Sequence, residues 1–218
     1  MNGLIKKLTD RAQWLIFPYR CPYCGRFIEY NETECSFCTV FQRGRLVRRD
    51  LPSGGICIAP FSYSGAVRNA IGEFKFRNNT FAAGSFAKHI VLALGSLTDE
   101  IDIVTNVPLS ALSLHERGYD QSELIARRAA GLMKKPYLAL LEKVLQKAAQ
   151  HELSGEERIK NAEGCYAAKN EEKIDGSRIL LTDDVCTTGS TLSECRRVLM
   201  AAGAREVICA AAAIRQGY

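Results

Sequence analysis

Residues 179–191 read ILLTDDVCTTGST, the stretch whose residue types and spacing say most about chemistry. An apolar run, Ile179, Leu180 and Leu181, leads into two acids, Asp183 and Asp184. Thr187, Thr188, Gly189, Ser190 and Thr191 follow. A strand buried on both faces needs a continuous apolar run, so its end carries two carboxylates to the open edge of a sheet. Threonine, glycine and serine before a helix offer backbone N–H groups and hydroxyls where the helix dipole favours an anion. Acids beside a phosphate cradle suit a ligand with both a phosphate and vicinal hydroxyls, such as a ribose phosphate. The segment lacks the spacing and the lysine of a P-loop, which disfavours a nucleoside triphosphate. A phosphorylated receiver domain also places an acid pair after an apolar strand, but about thirty residues after Asp184 are too few for the rest of one.

A second constellation lies near the start. Residues 21–38 hold Cys21-x2-Cys24 and, ten residues on, Cys35-x2-Cys38. Two such pairs can close a tetrahedral thiolate site around a structural Zn²⁺. Four thiolates leave no open position for catalysis, and neither pair opens a helix of thioredoxin type. Arg43, Arg45, Arg48 and Arg49 follow, with Phe27, Tyr30, Phe37 and Phe41 nearby. That mixture suits single-stranded nucleic acid, and equally a solvated linker. Leu4, Leu8, Ala12 and Leu15 form a stripe at helical spacing, expected to dock on the rest of the protein.

Pro52, Gly54 and Gly55 mark a boundary. Residues 1–50 are expected to form an N-terminal helix and the cysteine module, and residues 51–218 a second domain. In the latter, strand-like segments at 56–63, 101–107, 179–182 and 206–212 alternate with helix-like segments at 66–76, 81–94, 116–133 and 192–202. This is the pattern of an α/β domain with a mainly parallel sheet. Ligands of such sheets sit at the carboxyl ends of strands. Both the acid pair and residues 107–110 fall at such ends.

The apolar share of 47% supports a packed core, and a formal charge of +5 is compatible with anionic partners. Nine cysteines without a secretory signal or a membrane-length apolar run favour a reducing cytoplasm. Cys209 reads as a small core residue, and Cys186, inside the expected phosphate loop, as a position exposed to oxidation.

The segment 179–191 closely resembles the binding loop for phosphoribosyl pyrophosphate in type I phosphoribosyltransferases. Residues 107–126, VPLSALSLHERGYDQSELIA, and 150–166, QHELSGEERIKNAEGCY, narrow the likeness. With the four cysteines they resemble the ComF competence family, from about Pro18 to the end. Asp120 stands where that family usually has Asn, Cys165 where Ala is commoner, and Asn78 where Gly is usual. The resemblance implies a type I phosphoribosyltransferase fold behind the zinc module. It assigns Asp183 and Asp184 to the ribose hydroxyls and Thr187, Thr188, Gly189, Ser190 and Thr191 to the 5′-phosphate. Val107, Pro108, Leu109 and Ser110 would meet pyrophosphate, with Lys75 and Arg117 as cations and Arg77, His115 and His151 as weaker candidates. Mg²⁺ is expected with the phosphoribosyl pyrophosphate.

The resemblance implies transfer of a ribose phosphate to a base-like acceptor, in a protein linked to DNA uptake. The alternative is a protein that binds single-stranded DNA, works with the uptake machinery and keeps the loop as a sensor. A hood over the acceptor is expected around residues 147–158. Neither the acceptor nor the oligomeric state has a signature.

Overall fold

The computed structural model describes Trp14 and residues 18–41, 46–77, 79–144 and 162–217. The N-terminal stripe, Arg43, Arg45, Asn78, His151 and the expected hood lie outside these residues. Among the described residues no helix is long and apolar enough to cross a membrane.

Among the described residues the main sheet has six strands: β1 (Val47–Asp50), β2 (Ile56–Ala59), β3 (Phe61–Ser62), β4 (Ile103–Asn106), β7 (Arg178–Cys186) and β8 (Glu206–Ile214). Their order is β1-β2-β8-β7-β4, with β3 also on β8. All neighbours are parallel except the hairpin β1–β2. A small antiparallel pair, β5 (Leu141–Lys143) and β6 (Tyr166–Ala168), stands apart. The hairpin spans the expected boundary at residue 50, so Val47–Asp50 joins the sheet of the second unit.

Side-chain alternation sorts the centre of the sheet into two cores. On one face Leu180, Ala210 and Ala212 meet the helices Gly65–Phe76, Ala82–Leu94 and Gln121–Met133. On the other, Ile179, Leu181, Cys209 and Ala211 meet the helix Ser190–Ala201. Ala210–Ala213 are all at most 1% exposed. Alanine is a weak strand former, and its use here brings helix backbones close to β8. A larger side chain would overpack both layers. Cys209 is fully buried, as expected.

Several expected elements are cut where the chain demands it. The strand expected over 56–63 splits at Pro60, which has no N–H for the ladder. The helix expected over 116–133 is two, Ala111–Arg117 and Gln121–Met133. Gly118, at φ 75°, closes the first through its N–H to Leu114 O, and Asp120 caps the second. The strand expected to stop at Thr182 runs on to Cys186. The acids therefore lie within β7, held there by pairing of Asp183 with Ala211 and Val185 with Ala213.

The cysteine module packs on the helical face. Cys21, Tyr23, Ile28, Cys35 and Cys38 share a core with Phe61, Phe86 and Ile90. Glu34, 3% exposed, ties the two together by accepting from Ser85 (2.8 Å), Lys88 (3.1 Å) and Thr39 (3.1 Å) and lying 2.8 Å from His89 Nε2. Those contacts hold the Glu34 carboxyl at about 2, against the opposing effect of burial, which is the largest single influence on it. A buried carboxylate with this many partners is satisfied, whereas an unpaired one is very costly. Trp14 donates to Ile28 O at 3.1 Å and meets the Tyr30 ring edge-on.

Candidate functional site

The acid pair sits in β7 with its carboxylates turned apart. Asp184 faces the helical layer, where Lys75, from the helix Gly65–Phe76, reaches it at 2.9 Å. Burial alone would lower the Lys75 ammonium, but Asp184 outweighs it and the net shift is upward. Asp183 accepts the Asp184 N–H at 2.8 Å. Burial, then the neighbouring Asp184 charge, pushes the Asp183 carboxyl well above the usual carboxylate range, and Lys75 offsets this only in part.

The sign of that shift gives a stability prediction. A folded-state pKa above the unfolded one means the native chain holds the extra proton. The ligand-free protein then loses stability as pH rises from the unfolded value, about 4, through the folded one. Asp183→Asn removes the loss. Its melting temperature should exceed the wild type's at pH 7, and the gap should close toward about pH 3. Thermal unfolding followed by circular dichroism checks this; identical curves at pH 7 would contradict the assigned environment.

Behind the acids the chain turns at Gly189, φ 83°, directly before the helix Ser190–Ala201. Residues 185–192 and Asp183 line a cup of about 30 Å³. The Thr188 and Ser190 hydroxyls are 2.7 Å apart within it. The backbone angle at Gly189 calls for glycine, and a Cβ there would come within 2.8 Å of Leu51 Cδ2, which would have to shift. The β1–β2 hairpin braces this end of the helix: Ser53 N–H donates to Ser193 Oγ at 2.7 Å, and Ser53 Oγ to Ser193 O at 3.0 Å. Helix N-terminus, hydroxyls and left-handed glycine together make a cradle for a small anion.

The loop Val107, Pro108, Leu109 and Ser110 follows β4, next to β7. Ser110 caps the helix Ala111–Arg117 by accepting from Ser113 N–H. Asp120 holds the loop from below, accepting from Leu109 N–H at 3.0 Å. Arg117 donates to Gln121 Oε1 at 3.0 Å and lies 5.7 Å from the centre of the Phe76 ring. Its charge is felt at Lys75. The structure thus brings Lys75, Arg117, the acid pair and the 107–110 loop to one region. Of the weaker candidates, Arg77 is exposed and pairs with Glu73, and His115 is exposed.

Two sequence expectations need correction. Cys186 closes β7 and is 2% exposed rather than lying in an open loop, so its thiol is shielded. Contact with the Cys57 thiol lowers its pKa, with burial opposing. Arg49 does not belong to a free basic surface: its guanidinium donates to Arg215 O at 2.6 Å, and only Arg48 of the described pair is exposed. Sequence reasoning missed Arg20 and Arg26, which lie 4.1 Å and 5.1 Å from the rings of Phe27 and Phe37. Tandem Arg and aromatic residues around the cysteine pairs are the signal that was present.

In the module, the sulfurs of Cys21, Cys24, Cys35 and Cys38 all lie within 4.8 Å of one another. Four thiolates at about 2.3 Å from a common centre require such spacing, so the cluster fits a tetrahedral metal ion. Gly25, φ 72°, makes the tight turn after the first pair, and Cys38 N–H points at Cys35 Sγ from 3.4 Å. A wider cleft of about 800 Å³ opens between this module and the helices Ala82–Leu94 and Gln121–Met133. It contains neither the acid pair nor the Gly189 cup.

Comparison with known proteins agrees with this geometry. The phosphoribosyl transferase domain family matches residues 117–217. The chain is 28% identical over 215 residues to Competence protein F of Haemophilus influenzae, covering 94% of this chain and 88% of that protein. It is 26% identical over 204 residues to Competence protein ComFC of Bacillus subtilis, covering 91% and 75%. A solved glutamine phosphoribosylpyrophosphate amidotransferase from B. subtilis aligns at 24% identity over 58% of this chain and 25% of that one, with a TM-score of 0.38. At that score the likeness carries no weight beside the strand order and the domain match. With the four-cysteine cluster ahead of the strand, acid pair and loop, the chain is similar over most of its length to the ComF competence proteins, with a cysteine module joined to a phosphoribosyl transferase domain.

Proposed function

We propose that this protein binds phosphoribosyl pyrophosphate at the rim of β4 and β7 and transfers its ribose phosphate to a base-like acceptor. One observation carries the reading: a cup of hydroxyls at a helix N-terminus, closed by Gly189, directly continues a strand bearing two carboxylates, with Lys75 and Arg117 at the same rim. In this reading the cup takes the 5′-phosphate. Asp183 and Asp184 accept from the ribose hydroxyls, and Lys75, Arg117 and the backbone of Val107, Pro108, Leu109 and Ser110 take the pyrophosphate.

Attack at C1 by a ring nitrogen expels pyrophosphate through a centre of oxocarbenium character. The side chains act by holding the sugar and by meeting the negative charge that develops on the leaving group. Mg²⁺ suits this site because hard phosphate and carboxylate oxygens are its preferred ligands, and when bound it would neutralise pyrophosphate charge. Ligand binding also offsets what makes the acid pair costly, since hydroxyl donors would favour the ionised form of Asp183. Calorimetry with phosphoribosyl pyrophosphate, followed by a screen of free bases for pyrophosphate release, tests the reading. Release with none of them would leave binding without transfer.

The cysteine module ahead of β1 is proposed to hold a structural Zn²⁺. A second function is favoured by its surface. Phe27 and Phe37 are 60% and 51% exposed, each with an arginine beside its ring. Exposed rings backed by cations make a stacking platform for single-stranded DNA, in keeping with work beside the DNA-uptake machinery. Phe27→Ala with Phe37→Ala should weaken single-stranded DNA binding by about tenfold or more, since each stacked base is worth roughly 1–3 kcal/mol. Fluorescence anisotropy with a labelled oligonucleotide reads it. Equal affinity would put the DNA surface elsewhere.

A further inference from the structure

Asp120 is 8% exposed and sits between β4, the 107–110 loop and the helix Gln121–Met133. Its Oδ2 accepts from Leu109 N–H at 3.0 Å and from Asn106 Nδ2 at 3.3 Å. Its Oδ1 accepts from Glu123 N–H at 3.1 Å and lies 2.6 Å from Ser122 Oγ. Ser122 has one hydroxyl hydrogen, which it shares between Asp120 and Val107 O at 2.5 Å. Asn106 is fixed in turn, because Tyr137 donates to its Oδ1 at 2.8 Å and its amide also reaches Val107 O at 3.1 Å. Both oxygens of Asp120 thus face donors on opposite sides.

We propose that Asp120 is a positioning residue for the pyrophosphate loop, and that it must be a carboxylate to do this in the present chain. An amide has one acceptor oxygen. With that oxygen toward Glu123 N–H, its NH₂ would oppose Leu109 N–H and the Asn106 amide. With the oxygen toward the loop, the helix cap is lost. The carboxylate satisfies both at once. Leu109 N–H is thereby tied down between Pro108, whose ring fixes φ, and Ser110, whose hydroxyl caps the next helix. The peptide planes around Leu109 then have one orientation, set before ligand arrives. The role in ligand binding rests on the phosphoribosyl pyrophosphate reading above; the anchoring of Leu109 does not.

Asp120→Ser keeps a competent helix cap but is too short to reach Leu109, Asp120→Asn can keep only one of the two contacts, and melting curves identify a folded sample. Each is titrated with phosphoribosyl pyrophosphate plus Mg²⁺ and, separately, with ribose 5-phosphate. Loss of one charge-assisted hydrogen bond should weaken the first by about tenfold and leave the second unchanged, because the Gly189 cup is untouched. Amide exchange of Leu109 in the ligand-free protein should quicken by a similar factor. Unchanged affinity for phosphoribosyl pyrophosphate in both variants, or equal weakening of both ligands, would overturn the proposal. If the wild type binds neither ligand, the site reading falls by itself. Leu109 exchange then decides the positioning role: faster exchange in the variants supports it, and unaltered exchange removes it.

Discussion

Asp183→Asn combined with Asp184→Asn is expected to weaken Mg²⁺-dependent binding of phosphoribosyl pyrophosphate by about a hundredfold or more. In the proposed complex each carboxylate would supply charge-assisted hydrogen bonds to ribose hydroxyls, worth roughly 1.5–3 kcal/mol apiece, and both would be lost. The fold should survive, because the strand is held by its ladder to β8 and by Leu180 and Leu181, which are fully buried. The two single variants should differ in stability. Asp183→Asn relieves a carboxyl that burial and the adjacent Asp184 charge push out of its usual range. Asp184→Asn strands Lys75, whose side chain is only 22% exposed and pairs with that carboxylate at 2.9 Å. Removing one partner of a largely buried pair leaves an uncompensated charge. Calorimetry and melting curves on the three variants separate these effects. Wild-type affinity in the double variant would refute the role given to the pair.

The other large effect is expected from the cysteine module. Purified protein should carry about one zinc per chain, and Cys38→Ser should remove it. Binding energy of structural zinc is folding energy, on the order of 10–16 kcal/mol in small zinc modules. Cys21, Cys35 and Cys38 are buried in the same core as Phe61, Phe86 and Ile90. Loss of the metal should therefore loosen Tyr23 and Glu34 from Ser85 and His89 as well as the module itself. The expected result is a strongly lowered melting temperature together with zero metal by elemental analysis. A metal-free wild type with a high melting temperature would remove zinc from the account.

What was legible in the sequence follows the range of the interactions involved. The acid pair and its loop are contiguous, so strand, carboxylates, glycine and helix start could be read in order. The cysteines were legible through spacing alone, since a tetrahedral site imposes it. Lys75 and Arg117 came only from the family resemblance, because nothing local distinguishes a site cation on a helix from a solvated one. The break at Gly118 carried the usual signals, a glycine stop followed by an Asp cap, yet apolar periodicity on both sides masked it.

Arg49 was misread because adjacent strand residues face opposite ways: Arg48 turns to solvent and Arg49 to Arg215 O. The Asp120 network was out of reach, since it joins Asn106, Leu109, Ser122 and Tyr137 through the tertiary fold. Cys186 was misplaced because β7 continues past the acids, which only its pairing with β8 determines.

The most direct test is a crystal of the protein with phosphoribosyl pyrophosphate and Mg²⁺. The account predicts the 5′-phosphate in the Gly189 cup, the ribose hydroxyls within hydrogen-bond distance of Asp183 and Asp184, and the pyrophosphate between Lys75, Arg117 and the 107–110 loop. Donor bound at another surface, with the β7 rim empty, would contradict it.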